Sequence, residues 1–292
     1  MRITAREQAE PLTRPAAGWG WCVGLLPDAP PSAVCWLKPL TVDAAIACHN
    51  GAAINLGADF DDTDGDRAIV AASLHIDPDA WLLTDGAAEP EPANLARMIP
   101  VFDSPEEVGD ISLLMTDGAV DVTPGLALLM AVLQASGYSD AAVTEPDGSD
   151  PRAWREAVKW RGRWVGDLRA DCAGLEVYVR PYTEAARSAA SMACRTLGPV
   201  NQIAVMSHLL AGCVTAGPGG PPLLTREQVK LLPYGTARRM FVEATNLAGG
   251  GRTAGVRFRA VAPPALDDAG GRSGADVVDS REVAPSAVGD DG

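Results

Sequence analysis

The sequence predicts an α+β fold in which short β-hairpins pack on α-helices, arranged as two related units with a disordered acidic C-terminal tail. Three observations carry this. First, one pattern occurs twice: Trp21-Cys22-Val23-Gly24 leads to Leu37-Lys38-Pro39-Leu40-Thr41, and Trp164-Val165-Gly166 leads to Val179-Arg180-Pro181-Tyr182-Thr183. In each copy an apolar run meets a basic residue and a proline, then a threonine opens an Ala-rich stretch. Proline ends a strand because it cannot donate to the ladder, and threonine is a good helix N-cap, so the unit reads as hairpin, cap, helix. Second, helices with caps recur along the chain. Third, from about Val261 onward Ala, Gly, Pro, Ser and Asp dominate, leaving too little apolar surface to offset ordering entropy.

The elements follow in order. Residues 1 to about 15 read as a polar lead-in. Gly18 to Leu40 reads as two strands separated by the turn Pro27-Asp28-Ala29-Pro30-Pro31. Val42 to Cys48 is a short helix ending at Asn50-Gly51. Ile69 to Ile76 and Trp81 to Leu83 read as strands. Asp85-Gly86 and Asp117-Gly118 follow apolar runs and predict tight hairpin reversals. Pro124 to Ser136 is a core helix, with Thr123 as cap and Gly137 as stop. Thr144-Glu145-Pro146-Asp147-Gly148-Ser149-Asp150-Pro151 has linker composition. The expected division is therefore an N-terminal α+β domain over 1–143, a linker over 144–151, a C-terminal domain over 152–260 and a tail over 261–292. Within the C-terminal part, Val200 to Cys213 reads as a helix with Ile203, Met206, Leu210 and Cys213 on one face. Thr225 and Gln228 form a capping box before a helix that breaks near Pro233, and a last helix runs from Thr236 to about Leu247.

Composition narrows function. The chain of 292 residues is 47% hydrophobic and 21% charged, ordinary for a globular protein. Its net charge of -14 and pI near 4.6 argue against a surface devoted to nucleic acid. The six cysteines contain no Cys-x-x-Cys pair, and only three histidines are present, so structural zinc has little support. The polar start and the shortness of the longest apolar run, Leu126 to Leu133, fit a soluble cytoplasmic protein without a membrane span.

Candidate chemistry is thin. In the acidic run Asp59 to Asp66, placing Gly65 at position six of an EF-hand loop puts Phe60 at position one and Ala71 at position twelve, where ligands are required. A solvated acidic turn is the better reading. His75 before Asp77 and Asp79 lacks partners at metal-ligand spacing, and the adjacent Cys48 and His49 do not imply a nucleophile and its base. No nucleophile elbow, phosphate loop or dinucleotide fingerprint occurs. No catalytic, cofactor or metal residue is assigned. The stretch Arg152 to Arg169 interleaves Trp154, Trp160 and Trp164 with arginines; core packing is the first reading, a protein partner the second and single-stranded nucleic acid a distant third.

From Val177-Tyr178-Val179-Arg180-Pro181-Tyr182-Thr183 to Leu224-Thr225-Arg226-Glu227-Gln228-Val229-Lys230-Leu231-Leu232-Pro233, roughly residues 160–250, the chain resembles the tail assembly chaperones of long-tailed bacteriophages and prophages. The resemblance implies no catalysis and no cofactor. It implies partners, the tape-measure protein and tail-tube subunits, whose aggregation-prone helices are kept soluble in the host cytoplasm before polymerisation. Trp154, Trp160, Trp164, Arg180 and Tyr182 are the expected partner-binding residues. A virion structural protein, in the tail or the head-tail connector, and an enzyme or metal-binding domain are the alternatives. If the first hairpin is a true second copy, the protein is a duplicated or fused version of the family.

Overall fold

A computed structural model of the chain describes residues 1–250 apart from 139–161 and short stretches at 16–17, 27, 85–86, 88, 91–93, 112, 117–118, 170–171, 173 and 196–199. The fold is α+β. In chain order it comprises α1 (Glu10–Thr13), β1 (Gly20–Val23), β2 (Val34–Leu37), α2 (Val42–Leu56), α3 (Asp62–Ser73), β3 (Leu74–Ile76) and β4 (Ile99–Pro100). There follow β5 (Leu113–Thr116), β6 (Ala119–Val122), α4 (Pro124–Ala135), β7 (Arg163–Gly166), β8 (Glu176–Val179) and α5 (Glu184–Ala193). The last elements are α6 (Gln202–Cys213), β9 (Val214–Thr215), α7 (Arg226–Leu231) and α8 (Tyr234–Thr245). Among the described residues the strands form three antiparallel sheets, ordered β1-β2-β3-β4, β5-β6 and β7-β8-β9.

The predicted repeat extends far beyond the two hairpins. β1 and β2 pair with Trp21 opposite Trp36, and β7 and β8 pair with Trp164 opposite Tyr178. Thr41 caps α2 by accepting from Ala44 N at 3.2 Å, and Thr183 caps α5 by accepting from Ala186 N at 3.1 Å. In each half a second helix follows and runs directly into a strand that adds to the hairpin. Leu37 pairs with Leu74, and Val179 with Val214. The amide of Lys38 donates to Ser73 O at 2.9 Å, and that of Arg180 to Cys213 O at 3.0 Å. A proline then pairs with this third strand, Pro100 with His75 and Pro222 with Thr215. The next amide, of Val101 or Leu223, donates to Leu74 O or Val214 O. A short helical turn, Pro105–Val108 or α7, and a long helix, α4 or α8, complete each half. The two modules therefore share one order of elements and one set of ladder bonds. Residues 77–98 and the β5-β6 hairpin are extra in the first.

Several expectations are corrected. Asn50-Gly51 does not end α2, which continues to Leu56 and stops at Gly57 with φ 60°. Packing against α3 and the second module outweighs the roughly 1 kcal/mol that a helical glycine costs. Ile69–Ser73 is helix, leaving Leu74–Ile76 as strand, and Leu82 makes only an isolated bridge with Ala33. The acidic run is mostly a helix start: Asp61 caps α3 and forms a capping box with Asp64, placing carboxylates where the helix dipole favours them. The lead-in is docked, with Ile3 donating to Glu176 O at 2.8 Å and Ile3, Ala9 and Leu12 buried. The capped helices α4, α6 and α7 lie where predicted.

Among the described residues a single core joins Leu37, Val42, Leu128 and Val132 of the first module to Leu210, Leu232 and Met240 of the second. The linker 144–151, the tail 261–292 and the reversals at Asp85-Gly86 and Asp117-Gly118 lie outside the described residues.

Candidate partner surface and the seam between modules

The predicted partner residues do not converge on one open patch. Trp154 and Trp160 lie outside the described residues. Trp164 is half-buried on β7, edge-on to Tyr178 at 5.4 Å between centroids, with the Arg2 guanidinium 4.8 Å over its ring. Tyr182 is half-buried, stacks on Phe241 at 6.0 Å and donates its hydroxyl to Thr245 Oγ1 at 3.2 Å. Arg180 is exposed, its Nε donating to Gly212 O at 2.8 Å. Trp164 thus ties the N-terminus to the second module and Tyr182 ties the start of α5 to α8, while Arg180 leaves most of its charge at the surface. Nearby, Met192 on α5 is 73% exposed.

The seam between modules is the richer arrangement, and the sequence did not reveal it. α2 lies against α6, α7 and α8, and α4 against α8. Asn201, the N-cap of α6, accepts from Ile203 N and Ala204 N at 3.0 Å each. Its Nδ2 donates across the seam to Ile46 O at 3.2 Å and Asn50 Oδ1 at 2.8 Å. Backbone bonds reinforce it: Val42 N to Leu232 O at 2.9 Å, Tyr234 N to Leu40 O at 2.8 Å and Gly235 N to Ser136 O at 2.9 Å. Gly235 meets Leu133 O and Tyr138 N so closely that no Cβ fits.

A cluster of ionisable groups occupies this region. His49 of α2 is 3% exposed, pressed against Gly65, with Phe60 edge-on at 4.9 Å and Asp62 Oδ1 3.5 Å from its Nε2. Asp66 sits one turn beyond Asp62, and burial pushes its carboxyl above the ordinary value, offset in part by Arg238 and His49. Arg238 of α8 donates to the Tyr234 hydroxyl at 3.4 Å. Burial pushes Tyr234 up as well. An imidazole beside a carboxylate is a pairing used in acid-base catalysis, but general-base work needs the ring within hydrogen-bond reach of a substrate. The His49 ring is enclosed by α3 and Phe60, with neither ring nitrogen hydrogen-bonded among the described residues, so here its packing joins α2 to α3. His75 directs Nδ1 to Ser73 O at 3.0 Å and packs edge-on against Trp19. Among the described residues no group of three or more His, Cys, Asp or Glu is placed to hold a metal ion.

No family model, curated protein or solved structure matches this chain. No helix among the described residues is long and apolar enough to cross a membrane. A buried triad completes the second module: Glu243 of α8 pairs with both Arg163 of β7 and Arg239 of α8. None of its members was predicted, because nothing in the spacing of 163, 239 and 243 reveals that Arg163 of β7 meets Glu243 of α8.

Proposed function

We propose that the protein is a tail assembly chaperone with two fused modules, binding a tape-measure protein or tail-tube subunits in the host cytoplasm before tail polymerisation. The carrying observation is the repeat. The stretch that resembles these chaperones, roughly 160–250, has the same order of elements as residues 20–135, including the capped helix after the Lys/Arg-Pro-x-Thr junction. A duplicated module suits an elongated helical client, because two sites on one chain raise the effective concentration of the second contact. The acidic balance of -14 supplies repulsion between loaded copies. Trp154, Trp160, Trp164, Arg180 and Tyr182 are kept as proposed partner contacts, and of the three that are described Arg180 is the exposed one.

Pull-down of the full chain against the tape-measure and tube proteins of its own gene cluster tests the reading. Capture of either, with mass spectrometry finding the chain missing from purified particles, is expected. Capture of neither removes the proposal, and presence in particles turns it into a structural component.

A further inference from the structure

We propose that Cys22 and Cys35 form a reversible disulfide site, a dithiol that exchanges with small-molecule disulfides of the glutathione type. The two residues face each other across β1 and β2. Gly24 N donates to Ala33 O while Val34 N turns away to Trp81 O, which makes Cys22 and Cys35 a hydrogen-bonded cross-strand pair. Such pairs hold their Cα atoms about 5.5 Å apart with both side chains on one face, within the range a disulfide spans. Both thiols are free.

The second module shows that the fold does not require cysteine here. At the same register of its hairpin stand Val165 and Val177, an ordinary apolar pair. The hairpin architecture is met by valines in one copy and by two facing thiols in the other.

The two thiols differ. Cys35 is fully buried, and the Cys22 thiol beside it together with burial pushes its pKa up. Cys22 is half-buried on the end strand of its sheet, so it is the attacking sulfur. Its thiolate attacks one sulfur of the small disulfide, the S–S bond breaks, and the first small thiolate leaves and takes up a proton. Cys35 then loses its proton and attacks the Cys22 sulfur of the mixed disulfide, releasing the second small thiol. Two protein thiols are oxidised by two electrons, and one small disulfide is reduced to two thiols. The product fastens β1 to β2 and closes the loop over Pro27–Pro31.

The test is titration of the full-length native chain in glutathione buffers of graded oxidised-to-reduced ratio, followed by acid quench, alkylation and peptide mapping. One linked pair, Cys22 to Cys35, should form reversibly while Cys48, Cys172, Cys194 and Cys213 remain alkylated. Amide exchange of Trp21 to Val23 should slow about 100-fold in the oxidised form. The double variant Cys22→Val/Cys35→Val, patterned on the second hairpin, should show no oxidant-dependent change in exchange, and Cys35→Ser should stop at glutathione on Cys22. Four results each overturn the proposal: glutathione held on Cys22 in the parent chain, linkage to a different cysteine, both thiols free at the most oxidising ratio, or oxidant-dependent slowing in the valine variant.

Discussion

Glu243 is the residue whose loss should be felt most. It is 3% exposed and is shared between Arg163 and Arg239, so removing it takes one buried carboxylate from two guanidinium groups at once. Breaking a buried ion pair from one side costs about 3–5 kcal/mol. Glu243→Ala should lower the unfolding free energy by that amount in urea denaturation, whereas replacing all three members by apolar residues of similar volume should cost much less. Asp66 works in the opposite direction. Its folded-state pKa lies above the unfolded value near 3.8, so the folded chain binds the proton more tightly than the unfolded chain does. Stability associated with this group is full below the unfolded pKa, declines as pH rises through the window up to the folded pKa, and stays reduced above it. Asp66→Asn removes the penalty. Its stability relative to the parent should increase from pH 3.5 to neutrality and then level off; a difference independent of pH contradicts this.

At the scale of elements, caps separate local from long-range stabilisation. Thr183 serves α5 alone, by one bond to Ala186 N, and Thr183→Ala should cost about 1 kcal/mol. Asn201 caps α6 and also donates across to α2, so Asn201→Ala should cost about 2–3 kcal/mol. Chemical denaturation of both variants and their double tests the ranking, and the two losses should add because the residues share no partner. The same distinction explains what was legible in the sequence. Hairpin, proline, threonine and helix were readable because each signal acts within a few residues, as Thr41, Thr123, Thr183 and Thr225 do in their caps. The run of α2 through Asn50-Gly51 was not, since it depends on tertiary packing against α3 and against second-module helices more than a hundred residues away. The docked N-terminus was missed for a related reason: Ile3 and Leu12 are isolated among polar neighbours, and what docks them lies far along the chain, Glu176 of β8 beside Ile3 and α7 against α1. The His49, Asp66 and Arg238 cluster likewise leaves no local trace, because α2, α3 and α8 supply one member each.

For the whole molecule, the decisive fact is that the two modules meet through different faces. α2 buries Val42, Ala45, His49 and Ala52 and touches α6, α7 and α8 of the other module. Its counterpart α5 buries only Ala190, and at the positions matching Val42 and Ala45 it carries Glu184 and Arg187, which pair with each other at 2.8 Å in solvent. The contact is thus head-to-tail, and the polar face of α5 closes the series at two modules, as capped ends do in repeat proteins. The first module depends on this contact, because α2 packs on α6, α7 and α8 of the second module as well as on α3 of its own. Neither module should therefore melt alone. Calorimetry of the intact chain should give one transition with equal calorimetric and van't Hoff enthalpies, and urea curves followed by tryptophan fluorescence and far-UV dichroism should coincide. A variant that strikes the seam, Gly235→Ala, forces a Cβ into Leu133 O and should lower the unfolding free energy by about 1–3 kcal/mol without splitting the single transition. Two separated transitions in the parent chain would instead mean that each module holds a core sufficient for itself, contrary to the shared cluster joining Leu37 and Val42 to Leu232 and Met240.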